Sequence, residues 1–153
     1  MSNKAVITTE ENFYNNGIGI YVHACGDPDS VQYWLEICKR SGYRKPEEDS
    51  YGWAYLVATI ANFFGSGISV GIDTVDNLDC NNGDNGVYFI RDWNIVGGKY
   101  NEYENNLLKT VLNPGEIKEL SNGNIVMSKE TFNEYEEIAK RDARRRIKLY
   151  NEI

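Results

Sequence analysis

Apolar positions are densest between residues 51 and 64, where YGWAYLVATIANFF carries them on nearly every side of a helical wheel. Such a helix has to be covered on most faces. Trp53, Leu56, Val57, Ile60, Phe63 and Phe64 would each contribute about 1.5 to 3 kcal/mol if fully buried, which makes this stretch the centre of the core. The segment 65–67 then reads as a turn, and alternation at Ile68, Val70 and Ile72 predicts a strand over 68–73.

Upstream, residues 5–8 read as a short strand and 10–17, polar and Asn-rich, as a loop. Residues 18–24 alternate, with Ile18, Ile20, Val22 and Ala24 on one side and Tyr21 and His23 on the other. Asp27-Pro28-Asp29 is a helix start: a capping carboxylate, proline at the first helical position and a second acid near the positive dipole end. Val31, Trp34, Leu35 and Cys38 then fall at i, i+3, i+4 and i+7, and Gly42 closes the helix. A polar link over 43–49 leads to the central helix, whose least apolar stripe is Tyr51, Tyr55 and Asn62. The Asx-rich stretch 73–86 reads as turns, and 87–92 and 94–100 as two adjacent strands.

This order predicts an α+β fold: a mostly antiparallel sheet with two helices on one face. Residues 1–100 are expected to form that core domain. Residues 101–153 are expected to add a hairpin, 116–120 with 124–127, and a long C-terminal amphipathic helix from Ser128 to about Tyr150. Phe132, Tyr135, Ala139, Ala143, Ile147 and Tyr150 form one straight, thin stripe along it, which predicts docking on the body or on a second copy, and hence a homo-oligomer.

Charge changes the picture in one respect. The net charge is -7, but residues 1–128 carry nine Lys and Arg against seventeen Asp and Glu, while 129–153 carry seven against six. An acidic body argues against general nucleic-acid binding. Cys25, Cys38 and Cys80 form neither a disulfide framework nor a C-x-x-C zinc signature. With no basic leader and no apolar run of membrane length, the expected location is the cytosol, with no membrane contact.

Candidate chemistry is sparse. His23 and Cys25 suggest a nucleophile pair, but i, i+2 residues of a strand lie roughly 6 to 7 Å apart, too far for a hydrogen bond. The Asp-rich loop departs from the EF-hand pattern, since the twelfth position from Asp79 is Ile90. No phosphate-loop, dinucleotide, metalloprotease or nucleophile-elbow motif occurs, so neither catalytic residue, metal nor cofactor is expected. What stands out is aromatic side chains with polar tips in semi-polar places. Tyr21, His23, Tyr51, Tyr55, Arg91 and Trp93 are the candidate ligand contacts, able together to stack on a base and hold phosphate.

At GIGIYVHACGDPDSV, SYGWAYLVATIANFFG and GISVGIDTVDNLDCNNGDNGVYFIRDW the chain resembles a family of small uncharacterised proteins from phages and mobile elements of Gram-positive bacteria, over about residues 17–100. The resemblance implies a setting, antagonism of host defence by stoichiometric binding, and carries no site residues. The leading expectation is a non-catalytic protein that sequesters a nucleotide-like immune signal in an aromatic and Arg-lined pocket. The alternative is a protein-binding inhibitor of the anti-CRISPR type whose acidic surface blocks a host defence protein. A third is a small enzyme using His23 and Cys25.

Overall fold

The computed structural model describes residues 3–64, 69–99, 117–119, 125–127, 130, 132–134, 136–137 and 140–141. Strand β1 (Ala5–Thr8) is wholly buried and sits in the middle of a five-stranded sheet of order β3-β2-β1-β4-β5. Its neighbours are β2 (Ile18–Val22) and β4 (Val87–Arg91), and the sheet is completed by β3 (Val70–Thr74) and β5 (Asn94–Lys99). The pairs β1–β2, β2–β3 and β4–β5 are antiparallel, as expected, but β1 and β4 run parallel, with Val6, Ile7 and Thr8 beside Val87, Tyr88 and Phe89. The sheet is therefore mixed. Nothing local to β1 could reveal this pairing, because its partner lies some eighty residues away in the chain.

Helices α2 (Pro28–Arg40) and α3 (Ser50–Phe64) cover one face. Asp27 caps α2 by accepting from the Ser30 N–H at 3.1 Å. At the other end Gly42 takes φ 71°, the Tyr43 N–H donates to the Cys38 carbonyl and the Gly42 N–H to that of Lys39, each at 3.1 Å, a pattern that turns the chain sharply back. Val31, Trp34, Leu35, Cys38, Leu56, Ile60 and Phe63 pack against Ala5, Ile7, Ile20, Val22, Tyr88, Ile90 and Ile95.

The opposite face is covered more thinly. Residues expected as loop form α1 (Glu10–Tyr14), capped by the Thr9 hydroxyl, which accepts from the Asn12 N–H at 3.1 Å. Five residues are too few to show a helical period, so only the cap and Phe13 betray it. Phe13, Tyr21, Leu78 and Val96 pack over Val6, Val87 and Phe89. The Asx-rich loop is organised by buried Asn82, whose amide donates to the carbonyls of Asp79 and Gly86 and whose Oδ1 accepts from the Asp84 and Gly86 N–H groups.

A two-stranded antiparallel ladder, β6 (Ile117–Glu119) with β7 (Ile125–Met127), stands where the hairpin was expected. The expected C-terminal helix lies mostly outside the described residues, as does the segment 100–116. Of its stripe, Phe132 is described, and it is buried on α2 of the same chain: its ring centroid is 5.2 Å from that of Tyr33, and the Arg40 guanidinium carbon sits 3.9 Å above it. Among the described residues no helix is long and apolar enough to cross a membrane.

Candidate binding surface

The two-residue turn joining β4 to β5, Asp92-Trp93, has left-handed backbone at both positions, φ 54° and 59°. Asp tolerates this; a bulky Trp seldom does. The conformation is held by contacts with the 43–49 link. The Trp93 indole N–H donates to the Tyr43 carbonyl at 3.0 Å, the Asp92 N–H donates to Glu47 Oε2 at 2.8 Å, and Lys45 Nζ donates to Asp92 Oδ1 at 2.8 Å. From the other side Gln32, fully buried on α2, accepts from the Ile95 N–H at 3.1 Å and donates to the Trp93 carbonyl at 3.4 Å. The link is thus pinned along its length.

Pinning fixes what the link displays on each side. On one side the Tyr43 ring stacks on Tyr55 of α3, with centroids 4.3 Å apart and planes at 16°. Tyr51, one helical turn earlier, lies 6.5 Å from Tyr55, and the Arg44 guanidinium carbon sits 4.9 Å over its ring while pairing with Asp49 at 3.4 Å. Tyr51 is 56% and Tyr55 39% exposed. These four residues make an exposed aromatic platform.

On its other side the link borders a groove of about 830 Å³, lined by Glu10 and Glu11 of α1, Glu47, Trp53, Ile90 and Arg91 among others. It opens beyond the carboxyl ends of the parallel pair β1 and β4. Three carboxylates and one guanidinium line it, over a floor of buried Trp53 and Ile90.

The six contacts read from the sequence fall in separate places. Tyr51 and Tyr55 are on the platform. Arg91 is in the groove. Trp93 is 2% exposed and belongs to the core, its indole N–H already committed to Tyr43. Tyr21 and His23, with ring centroids 6.5 Å apart, are on β2 and just past its end. Tyr21 is in register with Val6 and through it with Val87, roughly 13 Å along the strand direction from Arg91. The Tyr21 hydroxyl has its pKa raised, by partial burial first and then by the negative field of Asp79 and Asp84. Strand alternation placed Ile20 and Val22 in the core, but Ile18 and Ile72, expected on apolar faces, are 40% and 50% exposed near the sheet's β3 edge, and alternation could not say which ends of the sheet meet. Glu10, Glu11 and Glu47 were missed because acids in a loop and a link look like solvated charge until a groove is found between them.

Cys25, with φ 58°, lies past the end of β2, so it does not share a strand face with His23. Burial pushes the Cys38 thiol up to about 11, against a smaller opposing contribution from the Thr59 hydroxyl. Among the described residues no group of three His, Cys, Asp or Glu is placed to hold a metal ion.

Fold and surface together define the class: an α+β protein with a mixed five-stranded sheet and an exposed aromatic platform beside an acidic groove. No family model matches the chain, and no curated protein or solved structure does either.

Proposed function

We propose that the protein acts without catalysis, by stoichiometric binding of a protein partner through the platform formed by Tyr43, Arg44, Tyr51 and Tyr55. The observation that carries this reading is the exposed Tyr43–Tyr55 stack with Arg44 over Tyr51. Tyr and Arg are, with Trp, the residues enriched at interface hot spots, Tyr because it supplies large contact area at low entropic cost. Asp49, paired with Arg44, borders the platform and the body is acidic, so the fitting partner is basic. A host defence effector with a basic nucleic-acid groove has that character, in keeping with an anti-CRISPR type of inhibitor.

Sequestration of a nucleotide-like signal is the second reading. Arg44 over the Tyr51 ring favours it, as a pair suited to a phosphate and a base. The dispersal of the six expected contacts weighs against one enclosed pocket.

Calorimetric titration against purified nucleic-acid-binding effectors, in parallel with native mass spectrometry against a nucleotide pool, separates the two. We expect saturable heat with an effector that weakens steeply with salt and falls at least ~10-fold in Tyr55→Ala. A nucleotide mass increment lost in Tyr51→Ala would transfer the assignment to the second reading. Neither signal with any probe would overturn both.

A further inference from the structure

We infer that β3 is a pairing edge for a second copy of this chain, joined antiparallel across a two-fold axis at Ile72 so that the two sheets continue as one. This goes beyond the platform reading and does not depend on it. β3 ends the sheet, with β2 on one side and, among the described residues, no strand on the other. Which of its backbone groups face outward follows from the ladder. The His23 N–H donates to the Ser69 carbonyl at 3.1 Å and the Val75 N–H to the Gly17 carbonyl at 2.9 Å, so the odd-numbered residues bond toward β2. In an antiparallel pair that direction alternates residue by residue, which turns the N–H and C=O groups of Val70, Ile72 and Thr74 outward. One of these is taken by the chain itself, since the Thr74 N–H donates to Asp73 Oδ1 at 2.7 Å.

The side chains select the same edge. Among the described residues the exposed large hydrophobics are four tyrosines and two isoleucines, Ile18 and Ile72. Tyrosine keeps a polar tip in water; isoleucine has none. In the β2–β3 register Ile18 lies beside Thr74 and Ile72 beside Ile20, so both isoleucines share the sheet face on which Ile20 and Val22 are buried. The core on that face reaches Val70 and stops short of Ile72. The far edge is closed in other ways: the β4–β5 pairing shifts register at Phe89 and Ile90, Lys99 ends the strand, and β7 lies beside β5. β3 has neither register shift, lysine nor proline.

The strand is complementary to itself. With Ile72 opposite the second copy's Ile72, each donates its N–H to the other's carbonyl, and each Val70 N–H reaches the Thr74 carbonyl across from it. The two isoleucines then pack side by side and lose their water. Asp73 falls opposite Gly71, where an added Cβ would meet nothing within 4 Å, so the carboxylate has room and no acid opposes it directly. The two Asp73 residues lie diagonally, roughly 8 Å apart at Cα, a distance at which salt screens their repulsion. The homo-oligomer expected from the C-terminal stripe is thus assigned to β3, since Phe132 of that stripe is buried on its own chain.

Five residues a side, against the roughly 20 to 30 of a stable interface, make the pairing reversible and concentration-dependent. The test is sedimentation velocity of the full chain from about 10 μM to about 1 mM, with ¹⁵N-correlated spectra over the same range. We expect monomer to give way to dimer, the Val70, Ile72 and Thr74 amide signals to move together with concentration, and ~0.5 M salt to tighten association about 2-fold. Ile72→Lys sets like charges face to face and should stay monomeric throughout, with a thermal midpoint near that of the dilute wild type showing that it folds. Asp73→Ala releases the Thr74 N–H for the opposite Val70 carbonyl and removes a charge, so it should tighten the dimer at least ~3-fold, a gain that damage to the fold would not produce. Tyr51→Ala, on the platform, should dimerise as the wild type does. A monomer at every concentration, a dimer that survives Ile72→Lys, or weaker association in Asp73→Ala would overturn the inference.

Discussion

The Trp93 indole N–H donates to the Tyr43 carbonyl at 3.0 Å, joining the turn between two strands to the link between two helices. Through this bond a core residue sets the position of a surface ring, because Tyr43 is also the residue stacked on Tyr55. The platform is therefore a consequence of core packing, and changing the core at this point should be felt on the surface.

Trp93→Phe keeps an aromatic ring in the core and deletes the donor. We expect a loss of about 1 to 3 kcal/mol, from the missing hydrogen bond and the smaller ring, read as a lower midpoint in urea with an unchanged slope. The Tyr43 and Tyr55 ring resonances should move toward exposed values in the same variant. Full stability with an undisturbed stack would show that the other two contacts suffice.

Gly52 opens α3 against the link: a Cβ there would lie 2.3 Å from the Lys45 carbonyl carbon and 2.4 Å from the Pro46 nitrogen, both backbone. Gly52→Ala should cost at least ~2 kcal/mol, since backbone has to shift. Gly71, where an added Cβ meets nothing within 4 Å, is the control, and Gly71→Ala should stay within about 0.5 kcal/mol of wild type. Thermal unfolding of the two variants compares them directly.

Hydrogen bonding from Lys45 holds the Asp92 carboxyl below the usual carboxylate range, with the charges of Lys45, Arg91 and Lys39 acting in the same direction. A pKa lowered on folding gives stabilisation that is present above the unfolded value and is lost as pH falls through the folded one. Asp92→Asn should thus be less stable than wild type at pH 7 and match it near pH 2. The pair is well exposed, so the difference should be small and shrink in salt. Urea midpoints at the two pH values measure it, and a gap that persists in acid would point to packing instead of charge.

Cys38, buried beneath α3 with its thiol pushed up to about 11, should resist a disulfide reagent at pH 8 in the native state. Cys80 has its thiol pKa raised too, by burial and then by Asp79, and should react slowly. Counting released chromophore before and after denaturant gives the number of protected thiols. Rapid native modification of Cys38 in the separated peptides would contradict the packing of α2 on α3.

Helix α2 was legible almost to the residue, because a capping carboxylate, a first-turn proline, an apolar stripe and a terminal glycine act within the segment itself. Alternation in β2 and the Tyr51–Tyr55 stripe of α3 were legible for the same reason. Helix α1 was not, since one cap and one anchoring Phe make no period. Trp93 read as a binding aromatic because sequence gives a residue type and a turn but not the direction of a side chain whose backbone is left-handed.

The sequence by itself determined the local elements, the acidic body and the tyrosines that α3 leaves outside, since propensity, capping and burial period operate over a few residues. Only the tertiary structure decided that β1 lies parallel to β4, that the 43–49 link is pinned beneath the Asp92-Trp93 turn, and that acids from α1 and the link face each other across a groove. Those relations join residues thirty to eighty positions apart, and their free energy comes from contacts that exist only once the chain has closed on itself.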